Sequence, residues 1–423
     1  MNKVLVTGVG FATSIGTRYD EVLTSLRQLR NGFVRKQLGA DCSTEGVELV
    51  CGEVKGFTLN GCDFRDWVMP DAYQLDNSLL RSLPIHGPYA VAALEQAINM
   101  AEVDRTELGN GRCGIFCASA GSPTMTRHHL NKMADSGWRR NPPMGVVSSV
   151  AGTLNFNLAT HYGITGANCG FVSACASSSH AIAYAFDEIA LGRQDLMLIV
   201  GAEDGSAESL LPFLGMSALS LNPDPDTACR PFDQQRDGFV GTGGAAALVL
   251  ESAASAQQRR TKPIAELLGW GQASDGYNVA APHPQGKGIR QAMENCLQSS
   301  GIDAAQIDWI NAHATSTPTG DSAEATALTD LGFANDDSST SISSTKGLTG
   351  HGLSYAGALE AAICVLAIKE NLIPGNAGLE QIDDSCTGLK LPVKSRTQSL
   401  NYVLNNNCGF GGANVCHLFA AIT

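Results

Sequence analysis

The chain has 423 residues, of which 43% are hydrophobic and 16% are charged. This composition is typical of a packed globular protein and excludes a disordered or fibrous chain. The length suits two ordinary domains or one large composite domain. The formal net charge of −13 argues against a nucleic-acid partner.

The first residues enter a predicted strand directly, without a basic leader, so we expect no secretory signal. No apolar run approaches the roughly 18 residues that a membrane-spanning helix needs, so we expect no membrane association. Thirteen cysteines are scattered without paired spacing, a pattern that suits the reducing cytoplasm better than a disulfide framework. Because no Cys-x-x-Cys or His-x-x-x-His cluster is present, the sequence predicts no metal site.

Strands and helices alternate along the first part of the chain. Hydrophobic patterning predicts strands at 3–7, 114–119, 196–201 and 245–251, and helices at 19–29, 89–102 and 147–162. The glycines at 8 and 10 are predicted to end the first strand. For residues 32–83 we predict loops and short pieces, and for residues 124–146 a basic, irregular segment.

A polar segment of low complexity at 252–262 predicts the junction between an N-terminal half, 1–251, and a C-terminal half, 252–423. The alternation then resumes, with strands predicted at 265–271, 307–312, 340–344, 399–404 and 414–420, and helices at 288–298, 321–331 and 354–373. Alternation in both halves predicts an α/β protein with mostly buried sheets. No internal repeat is visible as residue identity.

The stretch from Asn168 to Leu191 is predicted to form a short strand, a tight turn of small residues and a helix. Cys175 lies in the turn between Ala174 and Ala176, where small neighbours let the backbone bend sharply and let a substrate reach the sulfur. A thiol at a helix N-terminus feels the positive end of the helix dipole, so we expect a lowered pKa and a reactive thiolate. Cys175 is therefore the candidate nucleophile of a strand–nucleophile–helix elbow.

Further motifs lie at other predicted junctions. His313 follows a strand in the segment NAHATSTPTGD. Lys346 and His351 lie in the glycine-spaced loop STKGLTGH, which precedes a helix. Gly409 begins a Gly-Phe-Gly-Gly turn between the last two strands. The motif RPFDQQRDGFV, which begins at Arg230, is interpreted as structural.

Together, a thiolate, two histidines and a lysine at such junctions resemble the condensing-enzyme family, the β-ketoacyl-acyl carrier protein synthases. The resemblance covers essentially the full chain and rests on VTGVG, SACASSSHAI, RPFDQQRDGFV, HATSTPTGD, STKGLTGH and NCGFGGAN in the expected order. The Cys–His–His pattern is similar to the elongating synthases of types I and II rather than to the initiating synthases or the thiolases. The resemblance implies a thiolase-type α/β fold in a homodimer, with two pseudo-duplicated halves stacked as helix, sheet, helix, sheet and helix.

The resemblance assigns to Cys175 the attack on the thioester of an acyl-carrier protein, which leaves the acyl chain on the sulfur. The backbone N–H groups of Cys175 and Phe410 are implied to form the oxyanion hole, and Phe410 also matches the family's gating phenylalanine. Thr315 and Thr317 match positions that hydrogen-bond the pantetheine arm. No bound cofactor is expected, because 4′-phosphopantetheine arrives on the acyl carrier protein.

The same resemblance assigns the second half of the reaction to two histidines. Malonyl-carrier protein loses CO₂, and His313 and His351 are implied to donate hydrogen bonds to the oxygen of the resulting enolate. Lys346 is implied to pair with Glu324 and so to fix the field around His313. The carbanion then attacks the acyl-Cys175 carbonyl and gives a 3-oxoacyl product two carbons longer.

The sequence departs from the family pattern at three places. Ala314 stands where the family usually has glycine, and Cys408 where it usually has phenylalanine. The loop at 119–123 is one residue shorter than in type I synthases. The mechanism is unaffected, but the acyl chain length and the pathway stay open between fatty acid synthesis and a specialised polyene or polyketide route.

Acyl carrier proteins are acidic, so an enzyme of net charge −13 must concentrate its positive charge locally. The densest basic segment falls near the region that contacts the carrier in relatives, with a solvated charged loop as the alternative interpretation. The cations of this predicted docking segment are Arg127, Lys132, Arg139 and Arg140.

Two other functions stay open. One is a thiolase-like enzyme acting on coenzyme A esters, against which the His351 loop and the lack of a second cysteine in a catalytic context argue. The other is a non-catalytic chain-length partner subunit of a heterodimeric ketosynthase. The presence of Cys175, His313, Lys346 and His351 argues against that subunit.

Overall fold

The computed structural model describes residues 1–39 and 46–422. Across those two ranges, no helix combines the length and the apolar character needed to cross a membrane. The strands in chain order are β1 (Val4–Ala12), β2 (Phe33–Leu38), β3 (Val47–Gly52), β4 (Cys113–Ala118), β5 (Asn168–Phe171), β6 (Leu196–Glu203), β7 (Gly241–Thr242), β8 (Gly244–Ser252), β9 (Ala265–Ser274), β10 (Trp309–Asn311), β11 (Ser341–Ser343), β12 (Leu372–Ile373), β13 (Arg396–Thr397), β14 (Tyr402–Gly409) and β15 (Ala413–Ala420). The α-helices are α1 (Tyr19–Gln28), α2 (Asn77–Leu80), α3 (Gly87–Met100), α4 (Arg105–Leu108), α5 (Pro123–Ser136), α6 (Leu154–Tyr162), α7 (Ser177–Ala190), α8 (Ala207–Gly215), α9 (Ala253–Arg259), α10 (Lys287–Ser300), α11 (Pro318–Asp330), α12 (Lys346–Thr349) and α13 (Ala356–Glu370).

A ten-stranded sheet consists of two five-stranded halves with the same topology. Its order is β5-β4-β6-β8-β1 in the first half and continues as β9-β15-β14-β10-β11 in the second. In each half the first strand pairs antiparallel with the last and the last antiparallel with the fourth. The fourth then pairs parallel with the second, and the second parallel with the third. The predicted duplication is therefore visible as topology, although the exact boundary between 251 and 252 stays a prediction.

Helices divide the structure into layers. α3 packs on strands of the first half and α10 on strands of the second, so these two helices form outer layers. α7 and α13 contact strands of both halves and each other, so they form the middle layer. Ile182 of α7 and Ile363 of α13 are completely buried there, together with Leu248 and Phe419 of the two half-sheets. The five layers implied by the family resemblance are confirmed.

Most elements predicted in chain order are confirmed with shifted ends, but β1 is longer than predicted. It continues through both glycines to Ala12, because their missing side chains let α3 pack directly on the strand. A Cβ atom at Gly10 would lie 1.9 Å from the carbonyl oxygen of Ala93. The glycines therefore permit close packing rather than ending the strand. The segment 32–83, of which 40–45 lie outside the described residues, contributes β2 and β3 to a separate three-stranded sheet with β7.

Two predictions for the chain between β4 and β5 are wrong. The segment 124–146 is not irregular, because it contains most of α5. That helix has a proline at its start and an N-cap in Ser122, whose hydroxyl accepts from the backbone N–H of Met125. The helix predicted at 147–162 is shorter, because Gly152 has a φ of +78°, which is incompatible with a right-handed helix, and α6 begins only at Leu154.

Candidate active site

Cys175 lies in the predicted elbow, between the end of β5 and the start of α7. Hydrogen bonds close the turn, from the N–H of Ala176 to the carbonyl of Ser173 (3.0 Å) and from the N–H of Ser177 to the carbonyl of Ala174 (3.2 Å). Ala174 has a φ of +47°, a left-handed conformation that is strained for a residue with a side chain. A sharp, strained turn before the nucleophile is typical of such elbows.

The thiol of Cys175 is buried, and the Nε2 atom of His351 lies 3.0 Å from its Sγ atom. Burial raises the pKa of this thiol to about 12, against smaller lowering effects from the charge of Lys346 and from a hydrogen bond with the backbone of Phe410. The predicted lowering of the pKa is therefore wrong, because the desolvation of the thiolate outweighs the groups that favour it. His351 is placed to receive the thiol proton when the thiolate forms.

The rings of His313 and His351 face each other across the site, with centroids 5.3 Å apart and an interplanar angle of 86°. Burial lowers the pKa of both histidines well below 6.5, and the charge of Lys346 lowers it further. Both rings are therefore neutral near pH 7, and each carries one N–H donor. Two such donors in a desolvated site can stabilise a developing oxyanion.

Lys346 is completely buried, and its Nζ atom forms an ion pair with Glu360 on α13. The predicted pairing with Glu324 is wrong, because both oxygens of Glu324 accept hydrogen bonds from other donors. Its Oε1 accepts from the backbone N–H of His313 (2.9 Å), and its Oε2 accepts from the backbone N–H of Ala314 (2.7 Å). Glu324 therefore fixes the backbone that carries His313, whereas Lys346 acts on the histidines through its charge.

Sequence reasoning missed Glu360 and the asparagines next to it. Asn407 donates to the second oxygen of Glu360, and Asn406 donates to Glu324 at 2.6 Å. The sequence held a signal for both. Glu360 interrupts an apolar, buried stretch of α13, and three consecutive buried asparagines, 405–407, interrupt β14. Charged and amide groups in such positions need polar partners, because burial without them is costly.

The predicted nucleophile, histidines, gate and threonines meet at a cavity of about 470 Å³, whose lining includes Cys175, His313, His351, Phe410, Thr315 and Thr317. The hydroxyl oxygens of Thr315 and Thr317 lie 3.0 Å apart. Phe410 is 37% exposed, and its ring contacts Phe213 on α8, a helix that sequence reasoning missed. The cavity is large enough for a slender acyl or pantetheine chain beside the thiol.

Two of the departures from the family pattern also line this cavity. Ala314 and Cys408 both contribute to its wall. Burial raises the pKa of the Cys408 thiol well above its usual value, so this side chain is neutral. Both departures therefore change the shape of the cavity without adding a charge.

The basic segment predicted for carrier docking lies outside the cavity lining, on α5 and the single turn that follows it; its cations are Arg127, Lys132, Arg139 and Arg140. Arg127 forms an ion pair with Glu208 on α8. The same helix carries Phe213, which lines the cavity. The basic segment is thus linked to the cavity through α8.

A buried thiol beside two neutral histidines is an arrangement suited to acyl transfer through a covalent thioester. Residues 1–256 match the description "Beta-ketoacyl synthase, N-terminal domain", and residues 264–380 match "Beta-ketoacyl synthase, C-terminal domain". The chain therefore belongs to the β-ketoacyl synthase family.

Individual relatives are similar to this chain over nearly its whole length. The chain is 34% identical to the 3-oxoacyl-[acyl-carrier-protein] synthase 1 of Escherichia coli (strain K12), over 98% of both chains. It is 33% identical to the 3-oxoacyl-[acyl-carrier-protein] synthase 1 of Haemophilus influenzae, over 99% of both. A solved β-ketoacyl synthase from Burkholderia phymatum STM815 is similar with a TM-score of 0.88 and 31% identity, over 100% of both chains.

Proposed function

We propose that the protein is a 3-oxoacyl-[acyl-carrier-protein] synthase, which joins an acyl group on Cys175 to malonyl-acyl carrier protein with loss of CO₂, in fatty acid or related polyene or polyketide synthesis. The observation that carries the proposal is the 3.0 Å contact between Cys175 Sγ and His351 Nε2, beside the ring of His313 in one cavity. The names of the relatives at 34% and 33% identity support the same reaction.

In the first half of the proposed reaction, the sulfur of Cys175 attacks the carbonyl carbon of an acyl-carrier thioester. Because burial raises the thiol pKa to about 12, the proton must leave during the attack, and Nε2 of His351 accepts it. The backbone N–H groups of Cys175 and Phe410 stabilise the oxyanion of the tetrahedral intermediate. When that intermediate collapses, the carrier thiol leaves with the proton from His351, which is neutral again.

In the second half, malonyl-carrier protein enters the same cavity. His313 donates its ring N–H to the thioester oxygen, and so does His351 once its neutral ring carries the proton on Nε2 rather than on Nδ1, so that loss of CO₂ leaves a stabilised enolate. The C2 carbon of the enolate attacks the carbonyl of the acyl-Cys175 thioester, the C–S bond breaks, and the leaving sulfur takes up a proton from solvent, which is the one proton that the overall reaction consumes. The neutral state of both rings is compatible with this role, because a neutral imidazole still has one N–H to donate.

Five further residues support these steps. Burial keeps the histidines neutral, the charge of Lys346, which Glu360 holds in place, adds to this effect, and Glu324 fixes the backbone of His313. Thr315 and Thr317 offer paired hydroxyl groups to the pantetheine arm. We propose no bound cofactor, because 4′-phosphopantetheine arrives on the acyl carrier protein.

The acidic carrier would dock on the basic segment of α5 and the turn after it. Lys132 is exposed there, which supports an electrostatic contact. The variant Lys132→Glu should raise the KM for malonyl-carrier protein but leave that for malonyl-N-acetylcysteamine unchanged, with Lys390→Glu on another surface as the control. Equal KM values for wild type and Lys132→Glu would place the docking surface elsewhere.

We also propose a homodimer in the cytoplasm. β5 is an edge strand of the large sheet. Val172, which directly follows it, is 60% exposed, and Phe156 of α6, a helix that contacts β5, is 52% exposed. An unpaired edge beside exposed apolar side chains favours pairing with a second copy. Light scattering should give twice the chain mass of 44.3 kDa, and Phe156→Asp should lower the measured mass; a wild-type monomer would contradict the dimer.

The described cysteines are all free, which supports the proposed cytoplasmic location, because that compartment is reducing. A cell fractionation that leaves the protein outside the cytoplasmic fraction would contradict this location.

The central test is the intact mass of the protein after incubation with acyl-carrier proteins of different chain lengths. Wild type should gain the acyl mass, Cys175→Ala should not, and malonyl-carrier protein should then discharge the adduct as a 3-oxoacyl product. An adduct formed only from coenzyme A esters would favour the thiolase-like alternative. No adduct from either donor would favour the partner-subunit alternative.

A further inference from the structure

The motif RPFDQQRDGFV, interpreted from sequence as structural, packs against the turn that carries Thr315 and Thr317. Neither the proposed chemistry nor the proposed carrier surface uses it. Its central arginine, Arg236, has a side chain that is only 3% exposed. Arginine is rarely buried unless its guanidinium is fully paired, so the partners of Arg236 indicate what it does.

The guanidinium of Arg236 binds the start of α11. Its Nη2 donates to the carbonyl oxygen of Pro318 (3.1 Å) and to the hydroxyl of Ser322 (2.9 Å). Its Nε donates to the carbonyl oxygen of Thr317 at 3.4 Å. On the opposite side, Nη1 pairs with Asp383 at 2.9 Å. The planar fork of an arginine suits this bridge, because its donors point in fixed directions.

The residue between the two threonines is held in a strained conformation. Ser316 has a φ of +68°, a left-handed conformation that is unfavourable for a residue with a side chain and persists only where its surroundings enforce it. Its hydroxyl accepts from the backbone N–H of Arg230, and its carbonyl accepts from that of Gly238, each at 3.0 Å. The motif therefore binds three consecutive residues of this turn, 316–318.

The strained turn brings two hydroxyl groups into the cavity. Thr317 precedes the first residue of α11, where a threonine side chain usually caps the helix, but its hydroxyl makes no capping hydrogen bond. Instead it lies 3.0 Å from the hydroxyl of Thr315, and both residues line the cavity. Gly320 leaves space for this arrangement, since a Cβ atom there would lie 2.5 Å from the Thr317 oxygen.

We propose that Arg236 is a positioning residue for substrate binding. By holding the carbonyl groups of Thr317 and Pro318, it maintains the left-handed turn at Ser316 and keeps the hydroxyls of Thr315 and Thr317 directed at the pantetheine arm. The inference rests on the proposed function, because it needs a pantetheine thioester in the cavity. Arg236 contacts neither the substrate nor Cys175, so its removal should affect recognition of the arm rather than reactivity of the thiol.

The test compares donors with and without a pantetheine arm. In Arg236→Met, the KM for acyl-carrier protein should rise about tenfold or more, because the pantetheine arm loses one or two hydrogen bonds to the hydroxyls of Thr315 and Thr317. Acylation of Cys175 by the ethanethiol ester of the same acyl group, which has no amide to bind, should stay within about twofold of wild type. Arg236→Lys keeps a cation and a donor, and should recover part of the KM. A fall in both acylation rates together would show a purely structural role and overturn the inference.

A mutant cycle keeps the inference testable if Arg236→Met does not fold. Arg236→Lys, the variant Thr315→Val/Thr317→Val and the variant with all three substitutions are compared by kcat/KM for acyl-carrier protein. If Arg236 acts through the two hydroxyl groups, the variant with all three substitutions should lose no more than Thr315→Val/Thr317→Val alone. Losses that multiply would overturn the inference and leave the proposed function standing. Wild type that accepts no acyl group from any carrier would overturn both.

Discussion

The ammonium group of Lys346 is bound by the carboxylate of Glu360 in the interior of the protein, where the two side chains are 1% and 2% exposed. The variant Glu360→Gln leaves a buried cation without its counter-charge. We expect it to lower the free energy of unfolding by about 3–5 kcal/mol, measured by urea denaturation. It should also slow decarboxylation of malonyl-carrier protein, because a shifted Lys346 no longer holds the field around the histidines.

The control for Glu360→Gln is Glu294→Gln on α10. Glu294 pairs with Arg290 on the surface, and both side chains are about two-fifths exposed, at 43% and 40%. Exposed pairs of this kind contribute about 0–1 kcal/mol. Equal losses of stability in the two variants would contradict a structural role for the buried pair.

The raised pKa of Cys175 predicts an unusual pH dependence of its alkylation. With a pKa of about 12, the thiolate fraction grows throughout the range from about pH 6 to about pH 10. The rate of iodoacetamide addition, followed by intact mass with Cys175→Ala as the background, should therefore rise over that whole range. A plateau near neutral pH would instead reveal the low-pKa thiolate that the helix dipole alone predicts.

Glu203, at the end of β6, predicts that part of the stability depends on pH. Burial raises the pKa of its carboxyl group from 4.5 to about 8, and the hydroxyl of Ser354 donates to it. Above pH 4.5 the unfolded chain loses this proton while the folded protein keeps it, so the contribution to stability is complete below pH 4.5 and is lost as the pH rises towards 8. A tenfold change in proton affinity corresponds to about 1.4 kcal/mol, so the full loss amounts to a few kcal/mol.

The measurement is the free energy of unfolding of wild type and Glu203→Gln at several pH values. The side chain of the variant stays neutral at every pH. The free energy of unfolding of wild type should therefore fall relative to that of the variant between about pH 5 and about pH 8. Taking the difference between the two proteins removes the contributions of other titrating groups. An exposed substitution, Glu48→Gln, is the control. Parallel curves for wild type and Glu203→Gln would show that this carboxyl group is already ionised in the folded protein.

The positions of the reactive side chains could be predicted from sequence because each is set locally. Cys175 follows a short strand and precedes a helix within a run of small residues, and His313 directly follows a strand. What sequence could not give is the set of contacts made when the halves pack. The partner of Lys346 is one of two buried glutamates, and only the packing of α13 against β14 selects Glu360. The sign of the Cys175 pKa shift likewise depends on burial, which tertiary packing determines.

The errors in secondary structure have the same origin, with one exception. Gly8 and Gly10 resemble strand breakers when only the local sequence is considered. The reason for these glycines is the helix that packs on them, which lies about eighty residues further along the chain and gives no local signal there. The start of α5, in contrast, carries a local signal, a serine N-cap followed by proline. That helix could be predicted from this signal, but the prediction rests on the basic residues of the segment instead.

The shared topology of the two half-sheets has a consequence for how the reaction is divided. Cys175 follows the third strand of the first half, and Lys346 with His351 follows the third strand of the second. Corresponding positions in the two copies thus carry different side chains: in the proposed reaction the first retains the acyl chain, and the second takes part in both steps and helps to activate the unit to be added. Neither copy holds a complete set of reacting groups. Because the two halves belong to one chain, the nucleophile and its histidine occur in a one-to-one ratio, with Cys175 Sγ held 3.0 Å from His351 Nε2.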